Sequence, residues 1–474
     1  MLYNKMINNN NDNITRRSAL KYMGISALGV ATIFTGISCS KSDKDAIENA
    51  KFVGVIKKKD KVSDAEISLL GFGCMRLPLK DIDDKTSINE EEAMEMLDYA
   101  YKHGVNYFDT AWFYHGGASE PFVGKALKKY PRESIYIATK MPISPLTNDD
   151  PNGLVTSEGA LHRAKEILTH QLKRLQTDYI DFYFLHSVNN IQQYEDNFIQ
   201  TGVLDYLLEQ KSKGIIKRIG FSFHGPNEEF PKIVEAFKWD FCMIQVNYYD
   251  WEEDISDAKF LYNTLDKAGI QAIFMEPIRG GMLANLNPSA NEILQDAAPD
   301  KSIASWAIRW CASLPNVMNV LSGMTTIEHV KDNVKTLTDF KPLTEDEHNI
   351  IAAALSEYKD TRLIPCTYCD YCISPPCPAG IDIARVFKAY NDCVTEGNVP
   401  NLLLKRASDR TRHKEKLDKQ TRAFLTKMNK IPKNKRSDRC TQCNECLPKC
   451  PNSVNITENM NKISELMKSL ESMK

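Results

Sequence analysis

From Ala65 onward, short apolar runs rich in β-branched and aromatic residues alternate with longer amphipathic stretches. Eight such runs predict strands: Ser68–Gly73, Val105–Asp109, Ile135–Thr139, Ile180–His186, Ile216–Ser222, Phe241–Val246, Gln271–Met275 and Val317–Ser322. The stretches between them carry helical periodicity, as in Glu91–His103 and Ala164–Leu175. The first of these opens with acidic residues after Asn89, which suits the positive end of a helix dipole. Strand–helix alternation over roughly 250 residues argues for a parallel sheet, and eight repeats argue for its closure into an α/β (β/α)8 TIM barrel. A doubly wound open sheet is the alternative. No Gly-rich dinucleotide fingerprint follows the first strand, which counts against it.

The pattern before and after these repeats is different. Thr15-Arg16-Arg17-Ser18 precedes a weakly apolar stretch from Tyr22 to Ile37, too short and too rich in Gly, Ser and Thr for a comfortable membrane span. Paired arginines ahead of such a stretch resemble a twin-arginine export signal over residues 1–39, followed by a polar linker over 40–64. Cys39 after small residues resembles a lipidation site that would anchor the chain to a membrane, although Gly36 stands where a large aliphatic residue is usual. Export to the periplasm or the membrane surface is the expectation, with a cytoplasmic protein carrying an incidental Arg-Arg pair as the alternative.

Composition changes the picture in one respect. With 42% hydrophobic residues, 26% charged residues and a net charge of −2, nothing calls for nucleic acid as a partner. Of the 13 cysteines, eight crowd into two runs near the C-terminus. Cys39, Cys74, Cys242, Cys311 and Cys393 are scattered, and most of them read best as small buried hydrophobes.

Polar residues at the C-terminal ends of barrel strands are where such folds keep their chemistry. Asp109 closes the second strand and Tyr114 follows in the next loop; Lys140 ends the third and His186 the fourth. Singly, each has a bland reading as a satisfied rim residue or half of a solvated ion pair. As a set they resemble the Asp–Tyr–Lys–His tetrad of the aldo/keto reductases in order and strand placement. Leu70-Gly71-Phe72-Gly73, Gly116-Gly117-Ala118-Ser119-Glu120, Thr177-Asp178-Tyr179-Ile180-Asp181 and Ile219-Gly220-Phe221-Ser222 extend the likeness, which covers about 65–343.

The resemblance implies hydride transfer between a nicotinamide and a small carbonyl or alcohol substrate. Tyr114 would be the proton donor, its pKa lowered by Lys140, with Asp109 orienting Lys140 and His186 positioning the substrate oxygen. It also implies that Ser222 and Gln245 hold the nicotinamide carboxamide, with Gly73 and Met275 nearby and Gly323, Asp332 and Asn333 at the adenosine end. His224 stands where an Asn is frequent. Gly323 and His329 replace the cations that grip a 2′-phosphate, so NAD and NADP stay open, with Lys331 as a substitute cation.

In the last segment, 344–474, Cys366, Cys369 and Cys372 are followed by Cys377-Pro378, and Cys440, Cys443 and Cys446 by Cys450-Pro451. The second run has the bacterial ferredoxin spacing and the first has one extra residue before its last cysteine. A zinc site needs only two closely spaced pairs, so two 4Fe-4S clusters in a mainly helical ferredoxin-like domain are the expectation. By resemblance to two-cluster ferredoxins, Cys450 completes the first set and Cys377 the second. Aldo/keto reductases with such an extension form a subgroup that this chain resembles.

The basic stretch 405–439 reads either as a solvated helical connection or as a docking face for an acidic redox partner protein. A hydride carries two electrons and a cluster accepts one, so a carrier able to do both, usually a flavin, would have to link them; no flavin motif is visible. The competing reading is an electron-transfer iron–sulfur protein that uses the barrel as a scaffold.

Overall fold

The computed structural model describes residues 54–63, 65–147, 155, 157–252, 257–338, 340–359, 363–373, 376–400, 419–450, 452 and 454–472. The segment expected to be an export signal, with Cys39, lies outside them.

Among the described residues ten strands occur: β1 (Lys57–Lys59), β2 (Glu66–Ser68), β3 (Leu70–Gly73), β4 (Tyr107–Asp109), β5 (Tyr136–Met141), β6 (Ile180–Leu185), β7 (Ile216–Ser222), β8 (Phe241–Gln245), β9 (Gln271–Met275) and β10 (Val317–Gly323). Strands β3 to β10 pair in parallel and close on themselves through β10 and β3. The expected eight-stranded barrel is present. Its strands are buried on both faces, which is why they read as nearly continuous apolar runs rather than as alternation.

Two boundaries differ from the expectation. The stretch 40–64, read as a linker, contains β1, which pairs antiparallel with β2. Ile67 of this hairpin joins Tyr107, Phe182, Phe241, Ile273 and Met318 in a buried cluster, and Asp60 at its turn pairs with buried Arg218 of β7 at 2.6 Å. Three-residue strands with one apolar position leave almost no periodic signal, and the hairpin is stabilised by this packing. The second difference is Glu345–Lys359, expected with the cysteine domain. Its Ile351, Ala354 and Tyr358 belong to the same core cluster as the barrel helices, so the helix is part of the barrel. A separate cluster around Ile383, Phe387, Phe424, Met428 and Ile463 holds the helices Ile383–Thr395, Lys419–Met428 and Ile456–Glu471.

Gly124, in the helix Ser119–Leu127, lets that helix meet the end of the helix Ala160–Leu175: a Cβ there would lie 2.2 Å from the Arg174 carbonyl oxygen. Neither backbone can retreat without disturbing the barrel. Gly124→Ala is expected to lower stability by about 1–3 kcal/mol, read as a lower urea midpoint at unchanged slope.

Candidate active site

Asp109 is the last residue of β4, and Lys140 lies inside β5 rather than at its end, one residue further in than the sequence suggested. Both side chains are 1% exposed, and Lys140 Nζ donates to Asp109 Oδ1 at 2.6 Å and to the Thr110 carbonyl at 2.8 Å. Beneath Lys140, Gln171 donates to the Lys140 carbonyl at 2.9 Å and to Glu120 at 3.0 Å, while Tyr183 donates to Gln171. These buried hydrogen bonds hold the lysine in one geometry, although Asp109 Oδ2 has no hydrogen-bond partner among the described residues.

Tyr114 follows β4 at the start of a tight turn in which His115 and Gly116 have φ of 54° and 58°. His115 accepts from the Leu77 amide and its other ring nitrogen meets the Lys85 carbonyl, which fixes this turn to the loop after β3. The Tyr114 ring lies 4.8 Å from Lys140 Nζ and 6.4 Å, edge to face, from the His186 ring. His186 is the first residue after β6.

These four residues line one cavity of about 460 Å³ at the C-terminal ends of the strands. Gly73, Ser222, Gln245, Met275, Gly323, Asp332 and Asn333 line the same cavity, as do His224 and His329. Lys331 does not: its ammonium lies 5.8 Å from the Tyr99 ring on the helix Ile327–Leu337.

The polar atoms suit a carboxamide. Ser222 Oγ accepts from the Ser187 amide at 2.8 Å, which leaves its own hydrogen for a ligand oxygen. Gln245 Nε2 donates to Asp250 at 2.7 Å and to Asn452 at 3.0 Å, so its carbonyl is the part suited to accept from a ligand NH2.

One electrostatic expectation is corrected. Burial pushes the Tyr114 phenol well above its usual value, and the nearby Asp109 carboxylate adds to this; Arg76 opposes it. The lowering expected from Lys140 is overridden, because a phenolate would have to be stripped of water here. Tyr114 therefore stands as a neutral phenol, a proton donor. Burial also raises the Asp109 carboxyl, against the pull of Lys140. It drives His186 well below the ordinary imidazole value and His224 down to about 4, with Lys140 adding to both.

The sign of the pH dependence follows. Both imidazoles are neutral, and Tyr114 keeps its proton, throughout the neutral range. Carbonyl reduction at saturating substrate is expected to be flat from about pH 6 to 9, with no limb at the ordinary histidine value near 6.5. A pH–rate profile with a limb at that value would contradict neutral His186.

Sequence reasoning missed the other walls of the cavity. Arg76, Glu276, Gly280 and Gly281 come from loops after β3 and β9; a glycine pair just after a strand end was the available signal. Thr367, Tyr368, Cys369 and Tyr371 arrive from the first cysteine run, more than 250 residues from Tyr114 in sequence, and no local pattern could place them there.

The cysteines line two smaller cavities. Cys366, Cys369, Cys372 and Cys450 share one with Phe387 and Val454. Cys377, Cys440, Cys443 and Cys446 share the other with Ile381 and Met460, and Cys372 borders it as well. Both runs bend alike: Tyr368 and Asp370 in the first, Gln442 and Asn444 in the second, all have φ between 56° and 64°. Such left-handed residues turn backbone N–H groups inward, a concavity that suits an anion. Tyr368 and Val454 amides lie 3.4 Å from Cys366 and Cys450 Sγ. Among the described residues no group of three or more His, Cys, Asp or Glu is placed to hold a metal ion.

Residues 69–356 match the aldo/keto reductase family. The chain is 28% identical over 314 residues to an uncharacterized oxidoreductase, YqkF, of Bacillus subtilis, covering 61% of this chain and 94% of that one. It is 27% identical over 281 residues to the NADH-specific methylglyoxal reductase of Escherichia coli, covering 50% and 80%. The structure of aldo-keto reductase AKR11C1 from Bacillus halodurans in its holo form superposes with a TM-score of 0.51 at 28% identity, over 63% of this chain and 96% of that one. The chain belongs to the aldo/keto reductase family and is an NAD(P)-dependent oxidoreductase of that type.

Proposed function

We propose that the chain reduces a small carbonyl compound, or oxidises the corresponding alcohol, at the cavity lined by Asp109, Tyr114, Lys140 and His186. Bound NAD(P) supplies or accepts the hydride. The observation that carries this reading is the buried Lys140, held by Asp109 beside the Tyr114 ring in a cavity that also contains Gly73, Ser222, Gln245, Met275, Gly323, Asp332 and Asn333.

In reduction, the Tyr114 phenol donates a proton to the carbonyl oxygen, and the Lys140 ammonium stabilises the phenolate left behind. Neutral His186 orients that oxygen through a hydrogen bond, and Asp109 keeps Lys140 in place. In oxidation the tyrosine takes the proton back. Ser222 and Gln245 hold the carboxamide of the nicotinamide; Gly323, Asp332 and Asn333 receive the adenosine end. Lys331 is turned elsewhere, but the Arg76 side chain packs against Gly323 and Lys388 lines the cavity, so the cleft can receive either NAD or NADP.

The reading extends to two 4Fe-4S clusters in a ferredoxin-like domain, one on Cys366, Cys369, Cys372 and Cys450 and the other on Cys440, Cys443, Cys446 and Cys377. The two thiol-lined cavities and the repeated left-handed bends support it. One-electron exchange with a redox partner protein is the chemistry such clusters supply. Export by a twin-arginine route, which carries proteins with cofactors already in place, fits a chain of this kind, with Cys39 as its membrane anchor.

Protein purified without oxygen is expected to contain about eight iron and eight sulfide per chain and to bind NADH. Iron without sulfide, or zinc instead, would overturn the clusters. Failure to bind either nicotinamide nucleotide would overturn the hydride reading.

A further inference from the structure

The catalytic cavity is not closed by the barrel alone. Thr367, Tyr368, Cys369 and Tyr371 of the first cysteine run form part of its wall. The Tyr371 ring lies 5.7 Å from that of His224, which itself lines the cavity with Tyr114 and His186.

The loop is docked closely. Gly280, at φ +63°, leaves room for the Thr367 carbonyl, which a Cβ would meet at 2.1 Å. Arg76 donates to that carbonyl at 2.9 Å. Asn452, beside Cys450 in sequence, donates to Thr367 Oγ1 at 3.0 Å and accepts from Gln245 at 3.0 Å. Cys369 lines both the catalytic cavity and the cavity it shares with Cys366, Cys372 and Cys450.

We propose that this loop serves two sites at once: Tyr371 is a specificity-determining residue of the catalytic cavity, held there by Cys369 and Cys372 on either side of it. The inference rests on the carbonyl-reducing reading of the cavity and on the proposed cluster at Cys366, Cys369, Cys372 and Cys450. Its physical content is steric. A phenol side chain set between two cysteines that would ligate a cluster cannot swing away as one on a free loop would, so the cavity admits short carbonyl compounds and resists bulky ones. Loading of the nearer metal site then decides whether this wall is ordered.

The full chain, purified without oxygen, gives two independent readouts. The first is the ratio of kcat/KM for an aryl ketone to that for a short aliphatic aldehyde, in the wild type, Tyr371→Phe and Tyr371→Ala. Tyr371→Ala is expected to raise the ratio about tenfold or more and Tyr371→Phe to leave it nearly unchanged, with iron content intact in both. If the alanine variant loses iron, Tyr371→Leu replaces it.

The second readout is amide hydrogen exchange in the peptides containing Ala111–Tyr114 and Ser222–Gly225. It compares the wild type with Cys366→Ala, which removes a thiol of the nearer site without touching the catalytic cavity, and with wild-type chain stripped of iron by a chelator. Faster exchange in both peptides is expected in both preparations. An unchanged ratio in an iron-replete Tyr371→Ala or Tyr371→Leu chain, or unchanged exchange after iron loss, overturns the proposal. A wild type that reduces no carbonyl overturns the enzymatic reading instead, and the exchange comparison still decides whether the cysteine loop is a metal-ordered wall.

Discussion

Tyr114→Phe is expected to lower turnover by about 10²–10⁴-fold, the usual weight of a positioned general acid. Phenylalanine fills the same volume, so the ring keeps its 4.8 Å approach to Lys140 and its edge-to-face contact with His186. What disappears is the buried phenol whose ring comes within 4.8 Å of Lys140 Nζ. Nucleotide affinity, iron content and unfolding midpoint should stay close to those of the wild type. Steady-state kinetics on a carbonyl substrate, with nucleotide titration as the control, check this; an active Phe variant would leave the barrel as a scaffold for the cysteine domain.

The largest effect on stability is expected at Lys140. Lys140→Met leaves the Asp109 carboxylate buried with its main partner gone, and its Oδ2 already lacks a hydrogen bond. Breaking one side of a buried ion pair costs about 3–5 kcal/mol, whereas the exposed pair of Lys125 with Glu90 is worth about 0–1 kcal/mol. The cost should also depend on pH in a fixed sense. Burial raises the Asp109 carboxyl above its unfolded value, so its protonated form is the one that the fold favours. The penalty in Lys140→Met is therefore greatest above the folded-state pKa and shrinks as the pH falls through it. Urea unfolding of both proteins across that range measures the difference, and Asp109→Asn combined with Lys140→Met should recover part of the loss.

The barrel was legible because its strands are buried on both faces and punctuate amphipathic helices, a pattern few folds share. The residues at the strand ends were legible for the same reason: once β4, β5 and β6 are placed, Asp109, Lys140 and His186 must converge at one rim. The hairpin before β3 was not legible, since Lys57–Lys59 has no apolar period and its anchors, Ile67 in the barrel interior and Asp60 on Arg218, are tertiary. The helix Glu345–Lys359 was misassigned because an amphipathic helix does not state which core it faces.

The electrostatics of Tyr114 escaped for a different reason. Sequence shows that a lysine lies nearby, but how much water the phenol loses depends on every wall of the cavity, including the cysteine loop. The contact of Gln245 with Asn452 is likewise purely tertiary, joining residues 207 apart in the chain.

The central claim is that hydride passes between a nicotinamide and a carbonyl carbon at the Tyr114 cavity. NADH carrying deuterium at the transferable position, incubated with an aldehyde and the anaerobically purified chain, tests it by mass spectrometry of the alcohol. The account predicts one deuterium on the former carbonyl carbon with the wild type and almost none with Tyr114→Phe in the same time. Alcohol formed without deuterium, or labelled equally by both proteins, would contradict it.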